Sequence, residues 1–333
     1  MAARSGQKLK ILYIVKILTE FTDEQHPLSA EEICNKLSAY GVTAERKSIY
    51  NDIECLVDFG YDIIKTRVPK NGYFLASREF ELPEIYLLSD AVRTAEFISE
   101  KKTRQLIAKF DKMLSTYQSK HGISGIYIGG RNKTDNEEIF YNIDAINTAI
   151  KDCKKVSLKY EHQHLDENRE ITVDVKEHKI SPYAMTWQDD HYYLIGNNEK
   201  YDNLMHMRID RIKKVEILTE RSRHFSEVSD YTDTFDVVDY TQKLFSMFGG
   251  ELSRIKLRCK KNILEQLTDR FGKKIFFTNV TNDTFDISVN AVISEGLVTW
   301  LMNYGDRVEV IEPQNLRQKI TERAEKILSI YKK

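Results

Sequence analysis

An Asn-Gly pair, Asn71-Gly72, lies between two runs of β-forming residues and constrains the N-terminal fold more than any other sequence feature. Such a pair is the strongest short-range signal for a β-hairpin, because both residues accept the positive φ angles of a tight turn. Three amphipathic segments precede it, and Ser29 to Glu32 forms a capping box at the start of the second. Three helices followed by a hairpin predict a winged helix-turn-helix domain over residues 1–78.

The third helix is predicted to run from Thr43, as its N-cap, to Asp58, with Gly60 ending it. The residues predicted to face the core are Ile49, Ile53, Leu56 and Val57. The opposite face is polar, and its N-terminal end is basic. A solvated amphipathic helix beside a charged hairpin is the alternative interpretation of this segment.

The outward face of this helix and the hairpin carry side chains suited to DNA. A helix in the major groove contacts base edges with its N-terminal residues. Arginine pairs there with guanine and asparagine with adenine, while hydroxyl groups and lysines bind phosphates. The predicted DNA contacts are Arg46, Lys47, Ser48, Tyr50 and Asn51 in the helix and Lys65, Arg67 and Lys70 in the hairpin.

The charge balance limits what kind of nucleic-acid binder this can be. The 333 residues contain 50 Lys+Arg and 51 Asp+Glu, a formal net charge of −1, which excludes a global polycation. Residues 1–80 contain eleven basic and eleven acidic side chains. The N-terminal segment therefore has no cationic excess, which argues against strong non-specific binding to DNA.

Several functional classes are disfavoured by what the sequence lacks. Cys34, Cys55, Cys153 and Cys259 are scattered singletons, so neither a zinc ribbon nor a secreted disulfide framework is expected, and a cytoplasmic location is predicted. No apolar run reaches the roughly 20 residues of a membrane span, and no signal peptide is expected at the N-terminus. Nucleotide-binding and hydrolase motifs are absent, so we expect neither an enzyme nor a cofactor.

One histidine pair has a spacing that a metal site can use. His162 and His164 would place both rings on one face of a strand, as zinc sites can use. The segment Glu161 to Asp166 is instead predicted to be a solvated polar turn at a hairpin tip, without a third ligand at a recognisable spacing. No metal site is therefore predicted.

The rest of the chain predicts a multidomain α+β protein. Residues 79–138 are predicted to be a helical linker or dimerisation segment. Short alternating strands over 139–220 predict a small, strongly bent sheet or partial barrel. Residues 235–333 follow a strand-helix-strand-strand-helix-strand order, which is ferredoxin-like, with one helix added at the end.

The strands of the middle segment carry a second candidate site. Aromatic faces combined with guanidinium groups suit a ligand with a base and a phosphate. The candidate ligand-binding residues are Tyr160, His178, Tyr183, Tyr193, Arg208 and Arg211. Strand alternation would separate Arg208 from Arg211, and an ion pair of Arg211 with Asp210 is an alternative role. Core packing is the alternative for Tyr160 and Tyr193, and ordinary surface exposure for His178.

The third helix also resembles a known family. Residues Arg46 to Ile53 read Arg-Lys-Ser-Ile-Tyr-Asn-Asp-Ile and resemble the recognition helix of DeoR-like winged-helix regulators, which often reads Arg-Lys-Thr-Ile-Tyr-Arg-Asp-Ile. Ser48 stands where threonine is common, and Asn51 stands where arginine is common. The second difference affects one expected phosphate or base contact.

The middle segment resembles the WYL domain, named for a Trp-Tyr-Leu strand. The matching motifs are Ser181 to Met185, Tyr192-Tyr193-Leu194 with tyrosine in place of tryptophan, and Met207 to Ile212 with methionine in place of phenylalanine. Residues Gly296 to Leu301, Tyr304 to Asp306 and Glu312 to Leu316 are similar to the extension that follows WYL domains. The resemblance implies an Sm-like sheet in a bacterial or phage transcription regulator, usually dimeric, that senses a nucleotide-like or oligonucleotide ligand.

The sequence is therefore consistent with two functions from different classes. The first is a homodimeric transcription regulator, expected to be a repressor, whose winged helix reads a palindromic double-stranded operator under ligand control. The second is an accessory protein that binds single-stranded nucleic acid through its WYL domain without operator specificity. A nucleic-acid-processing enzyme is a third class, for which the sequence provides no active site.

Overall fold

The computed structural model describes residues 3–122 and 133–332. The chain divides into two units, Met1–Glu137 and Glu138–Lys333. The described residues form a mixed α+β protein whose sheets have two, four and five strands. No described helix is long and apolar enough to cross a membrane.

The first unit begins with three helices and a hairpin, in the predicted order. These elements are α1 (Ala3–Phe21), α2 (Ala30–Ala39), α3 (Arg46–Phe59), β1 (Ile63–Thr66) and β2 (Gly72–Leu75). Their common core is apolar and fully shielded at residues such as Ile17, Ile33 and Ile49. The predicted capping box at Ser29 and Glu32 is present at the start of α2.

Two details of α3 differ from the prediction. The helix begins at Arg46 with Glu45 as its N-cap, so Thr43 does not cap it. Val57 is 46% exposed, whereas Ile49, Ile53 and Leu56 are buried as predicted. At 100° per residue Val57 lies about 80° from Ile49, which places it at the edge of the buried stripe. Gly60 ends the helix in the left-handed conformation, with φ of 112°.

The hairpin forms, but its turn is not a two-residue Asn-Gly turn. Thr66 pairs with Gly72, so a five-residue loop joins β1 to β2 and Gly72 is the first residue of β2. Glycine is required there for another reason: a Cβ atom at Gly72 would lie 2.7 Å from the backbone carbon of Leu28. The neighbouring Tyr73 exchanges backbone hydrogen bonds with Leu28, which fixes the hairpin against the segment before α2.

Three further helices follow in the described part of the first unit. They are α4 (Leu82–Thr94), α5 (Glu100–Asp111) and α6 (Thr116–Gly122). Residues 123–132 of the predicted linker lie outside the described residues. Buried Asp23 accepts a hydrogen bond of 2.5 Å from the Ser115 hydroxyl, and Arg78 donates to the backbone of Thr22 and Met113. These bonds fix the segment before α6 to the end of α1.

The second unit starts with one helix and a five-stranded antiparallel sheet. The elements are α7 (Ile139–Lys151), β3 (Lys154–Leu165), β4 (Ile171–Gln188), β5 (His191–Asn197), β6 (Met205–Arg208) and β7 (Ile212–Arg221). The strand order is β6-β5-β4-β3-β7. The segments around Val173 and Pro182 are both part of β4. Residues 171–180 of this strand pair with β3 and residues 181–188 pair with β5, which bends the sheet.

The C-terminal part has the predicted element order and an extra terminal helix. It contains α8 (Val237–Gln242), β8 (Glu251–Lys260), α9 (Leu264–Phe271), β9 (Phe277–Thr278), β10 (Thr284–Ile293), α10 (Glu295–Met302), β11 (Val308–Glu312) and α11 (Gln314–Tyr331). The antiparallel strands lie in the order β11-β8-β10-β9. Leu316 and Ile320 of α11 pack on the core, while Ile327 and Tyr331, further along the helix, are 41% and 83% exposed.

Candidate nucleic-acid interface and effector site

The outward face of α3 presents polar side chains to solvent. Lys47, Asn51 and Glu54 are exposed opposite the buried stripe, as the helical period predicts. Tyr50 is 42% exposed at the edge of this face. Lysine, asparagine and tyrosine on one exposed helix face supply phosphate-binding and base-binding groups together.

The hairpin places further basic residues beside this face. Lys65 and Arg67 are exposed on β1 and in the following loop. The Lys65 ammonium lies 6.0 Å from the ring centroid of Tyr50 and 5.7 Å from that of Tyr73. The base of the hairpin and the helix therefore meet in one surface.

Ser48 is only partly available for DNA. Its hydroxyl accepts a hydrogen bond from the buried ammonium of Lys10, which also forms a 2.8 Å ion pair with Asp52. The serine therefore connects α3 to α1. The Ser48 hydroxyl can make the predicted phosphate contact only if it gives up its hydrogen bond with Lys10.

Two acidic residues that the sequence prediction did not include lie at the same surface. Glu31 forms an ion pair with Arg46, and Glu32 forms one of 2.5 Å with Lys70. Both acids lie in the first turn of α2, where negative charge is favoured by the helix dipole. The capping box identified Glu32 in the sequence, but only the tertiary fold brings Lys70 to it.

The candidate effector site is built around Arg208, the last residue of β6. Its guanidinium donates two hydrogen bonds to Asp210, of 3.1 Å and 2.6 Å. Asp210 is therefore an ion-pair partner of Arg208. The reason is a short 3-10 turn over Ile209–Arg211, which bends the chain directly after the strand.

Two tyrosines lie against this arginine. The Tyr160 hydroxyl accepts a 3.3 Å hydrogen bond from the Arg208 backbone N–H, and Tyr193 is the cross-strand neighbour of Arg208. Burial raises the pKa of Tyr193, so its phenol is neutral at physiological pH. The structure therefore brings three of the six candidate residues together.

His178 lies next to this group. Its ring centroid is 6.4 Å from that of Tyr160, and its Nε2 atom is buried without a hydrogen-bond partner. Burial lowers the pKa of His178, and His162, Lys176 and Lys200 act in the same direction. A cavity of about 810 Å³ opens beside it, and its charged lining residues are Lys176, Lys179, Lys200, Glu177 and Glu199. The lining therefore has one more basic than acidic side chain.

The remaining two candidates occupy other environments. Tyr183 packs against Phe225 and Phe235, with ring centroids 6.2 Å away in both cases, and burial raises its pKa to about 12. Arg211 is half-buried within the 3-10 turn. The strand alternation expected to separate Arg208 from Arg211 does not apply, because the second arginine is not in a strand.

The histidine pair at 162 and 164 lies in a strand and not in a turn, because β3 continues to Leu165. His164 contacts Asp174 at 3.6 Å. Within residues 3–122 and 133–332, no group of three or more His, Cys, Asp or Glu side chains is arranged to hold a metal ion.

Comparison with known families identifies both parts of the second unit. Residues 141–217 match the WYL domain, and residues 251–328 match the WCX domain. The chain contains a WYL domain followed by a WCX domain. The candidate site around Arg208 therefore lies in the WYL domain, and the four-stranded sheet lies in the WCX domain.

Matches to whole proteins are weaker. No curated protein matches the chain significantly. The solved structure of the proteasome accessory factor B/C (PafBC) of Arthrobacter aurescens matches 97% of this chain at 14% sequence identity, with a TM-score of 0.28. The match covers 49% of that protein, so this chain spans about half its length.

A half-buried histidine joins the WYL domain to the segment before the WCX domain. His206 in β6 and the Tyr240 hydroxyl in α8 form a hydrogen bond of 2.8 Å. Burial lowers the pKa of His206 to about 4, against an opposing hydrogen bond with the backbone of Met247. The folded protein therefore binds fewer protons at this site than the unfolded chain between pH 6.5 and 4.

Because of this histidine, we expect the free energy of unfolding to decrease as the pH is lowered. Its contribution is present above pH 6.5 and is lost as the pH falls towards 4, by about 1.4 kcal/mol per pH unit or about 3 kcal/mol in all. Urea unfolding followed by Trp187 and Trp300 fluorescence at several pH values measures this loss. His206→Gln should reduce the slope between pH 6.5 and 4, whereas His162→Gln, at an exposed site, should retain it. An unchanged slope in His206→Gln would contradict the assignment.

Proposed function

We propose that this protein is a sequence-specific DNA-binding transcription regulator, and specifically a repressor, that acts by binding and not by catalysis. The observation that carries the proposal is the exposed face of α3, where Lys47 and Asn51 lie beside the basic hairpin residues Lys65 and Arg67. A helix of this kind fits the major groove with its N-terminal residues on base edges, while a hairpin follows the backbone.

The subfolds that we propose agree with the element and strand orders. Three helices followed by a hairpin support a winged helix-turn-helix domain in residues 1–78, with 79–138 as a helical linker. The bent five-stranded sheet supports an Sm-like WYL domain. In the WCX domain the strand order β11-β8-β10-β9 supports a ferredoxin-like fold, since the first and third strands of the βαββαβ unit are central.

The effector that we propose is a nucleotide or a short single-stranded oligonucleotide bound in the WYL domain. Half-buried Tyr193 offers aromatic surface beside Arg208, whereas Tyr160 is only 9% exposed and holds the Arg208 backbone through its hydroxyl. A base stacks on aromatic rings, and a phosphate accepts two hydrogen bonds from one guanidinium. The cavity at His178, lined by three lysines and two glutamates, is a neighbouring place for a further phosphate.

A homodimer is proposed on the basis of the C-terminal helix. Its last turns expose Ile327, Leu328, Ile330 and Tyr331, by 41%, 49%, 66% and 83%. Apolar residues grouped on one exposed surface are typical of protein–protein contacts. A two-fold dimer would present two copies of α3 to the two halves of a palindromic operator.

Selection of genomic DNA fragments on the purified protein tests the proposed function. At about 0.15 M salt, non-specific contacts are weakened enough for specific sites to dominate. Enrichment of one palindromic sequence supports the regulator, and retention of fragments without sequence preference contradicts it. A parallel selection with a single-stranded oligonucleotide present tests effector control.

A second candidate function is an accessory protein that binds single-stranded nucleic acid without operator preference. One observation favours it, namely that Arg46 and Lys70 are held by Glu31 and Glu32, which reduces the positive charge available to duplex DNA. Binding of single strands through the WYL domain, with no palindrome enriched from duplex fragments, would establish this function.

The acid at position 31 provides a separate prediction. Glu31→Gln should increase affinity for non-operator duplex DNA about threefold to tenfold, because it releases Arg46 and removes a negative charge near the phosphates. Operator affinity should rise less, so the ratio of specific to non-specific binding should fall. Fluorescence anisotropy with both duplexes measures this ratio. Glu79→Gln, at an exposed residue of the same unit, serves as the charge-matched control.

A further inference from the structure

A cavity of about 410 Å³ lies between the WYL domain, the segment that follows it and the WCX domain. Its apolar lining includes Leu204, Val228, Leu244 and Val292, which belong to one hydrophobic cluster shared by the two domains. Cavities of roughly 300–1,000 Å³ with an apolar floor and a few polar groups are typical of small-molecule sites. This cavity is separate from the surface around Tyr160 and Arg208.

Two aromatic rings form part of its wall. Tyr231 and Tyr240 both line the cavity, with ring centroids 6.3 Å apart and ring planes at 80°. The Tyr231 hydroxyl donates a 2.5 Å hydrogen bond to Asp239, and the Tyr240 hydroxyl is bonded to His206. These bonds fix both rings, so their faces form a rigid surface for a ligand.

The charges at the rim favour a cation. Lys243 is the cation among the described lining residues; it is paired with Asp239, and its ammonium lies 5.7 Å from the ring centroid of Tyr231. Asp202 is paired with Arg223 at 2.9 Å. Asp230 also lines the cavity and lies in the exposed part of the segment between the domains. The positive charge at the rim is thus compensated, and Asp230 adds a negative charge.

We propose that this cavity binds a small organic cation with an apolar body, such as a primary amine carrying a ring or a short alkyl chain. The body would lie on the apolar floor, and the ammonium group would lie near Asp230 and the ring of Tyr240, since the Tyr231 ring already has Lys243 as its cation. Ammonium groups are attracted both by carboxylates and by the faces of aromatic rings. A nucleotide would bring its phosphates close to Asp230, which would repel it.

The cavity also has a direct structural link to the WYL site. Tyr240 in its wall contacts His206, and His206 precedes Arg208 by two residues in β6. A ligand in the cavity touches residues of both domains and would stabilise their packing. The inference does not depend on the proposed DNA-binding function.

Calorimetric titration of the full chain with 2-phenylethylamine tests the proposal, with 2-phenylethanol and phenylacetate as neutral and anionic analogues. We expect the amine to bind about tenfold or more tightly than the alcohol, and phenylacetate to bind less tightly than either. Equal affinity for the amine and the alcohol would overturn the proposal, as would the absence of amine binding at about 10 mM.

Two variants locate the binding in this cavity. Asp230→Asn should reduce amine affinity to that of the alcohol, whereas Asp233→Asn, in the same exposed segment but outside the cavity lining, should not. Gly249→Trp should fill the cavity and abolish binding of both probes, because a Cβ atom there meets no atom closer than 3.9 Å. Thermal unfolding checks that each variant is folded. Undiminished amine binding in Asp230→Asn or in Gly249→Trp would refute the assignment.

Discussion

Replacing both Arg46 and Lys47 with alanine is expected to lower affinity for the operator by about a hundredfold or more, while the fold remains intact. Both residues lie in the first turn of α3, which is the part of a recognition helix that meets base edges. A bidentate base contact contributes about 1–3 kcal/mol and a phosphate contact adds to it. Both side chains are exposed, so their loss removes no core packing.

Fluorescence anisotropy with the enriched palindrome measures this effect, and thermal unfolding confirms that the variant is folded. A matched control removes the same charge elsewhere: Lys101→Ala with Arg104→Ala on α5, whose side chains are 68% and 73% exposed. The control should change operator affinity by less than about threefold. Equal losses in the two double variants would show that general charge, and not α3, determines binding.

The part of this surface that follows from local periodicity was predictable from sequence. The buried stripe at Ile49, Ile53 and Leu56 determines that Lys47 and Asn51 face outward, and these five positions are as predicted. The helical period is a local property, so no knowledge of distant residues is needed.

The partners of the polar residues could not be predicted from the sequence. Ser48 contacts Lys10, 38 positions away, and Lys70 contacts Glu32, also 38 positions away. Neither partnership has a local pattern, because each depends on how α1, α2 and the hairpin pack together. For the same reason, the restriction of Arg46 by Glu31 emerged only from the fold.

The WYL domain shows the same distinction. Its short strands and motifs were evident in the sequence, but the role of Asp210 depended on where β6 ends. A continuing strand would have placed Arg208 and Asp210 on one face and Arg211 on the other. The 3-10 turn at Ile209–Arg211 instead brings Asp210 into bidentate contact with Arg208. Strand ends are set by packing, here around buried Ile209 and Ile212.

Replacing Arg208 with alanine is expected to weaken binding of a short single-stranded oligonucleotide by about thirtyfold or more and to leave operator binding without effector unchanged. Its guanidinium is held in one orientation by Asp210, and Tyr193 is its cross-strand neighbour. A pre-oriented guanidinium loses little entropy when it pairs with a phosphate, so its removal has a large effect. Anisotropy with a labelled oligonucleotide, and separately with the operator duplex, measures both quantities.

Arg208→Ala also leaves the Asp210 carboxylate, only 10% exposed, without this partner, which can destabilise the domain. Arg208→Lys separates the two effects, because lysine retains the charge but loses the bidentate geometry. We expect this variant to unfold at nearly the wild-type temperature and still to bind the oligonucleotide about tenfold more weakly. Arg221→Ala, at the exposed end of β7, controls for general loss of positive charge. If Arg208→Lys bound the oligonucleotide as tightly as the wild type, guanidinium recognition of phosphate would be wrong, and the cavity at His178 would become the site to test.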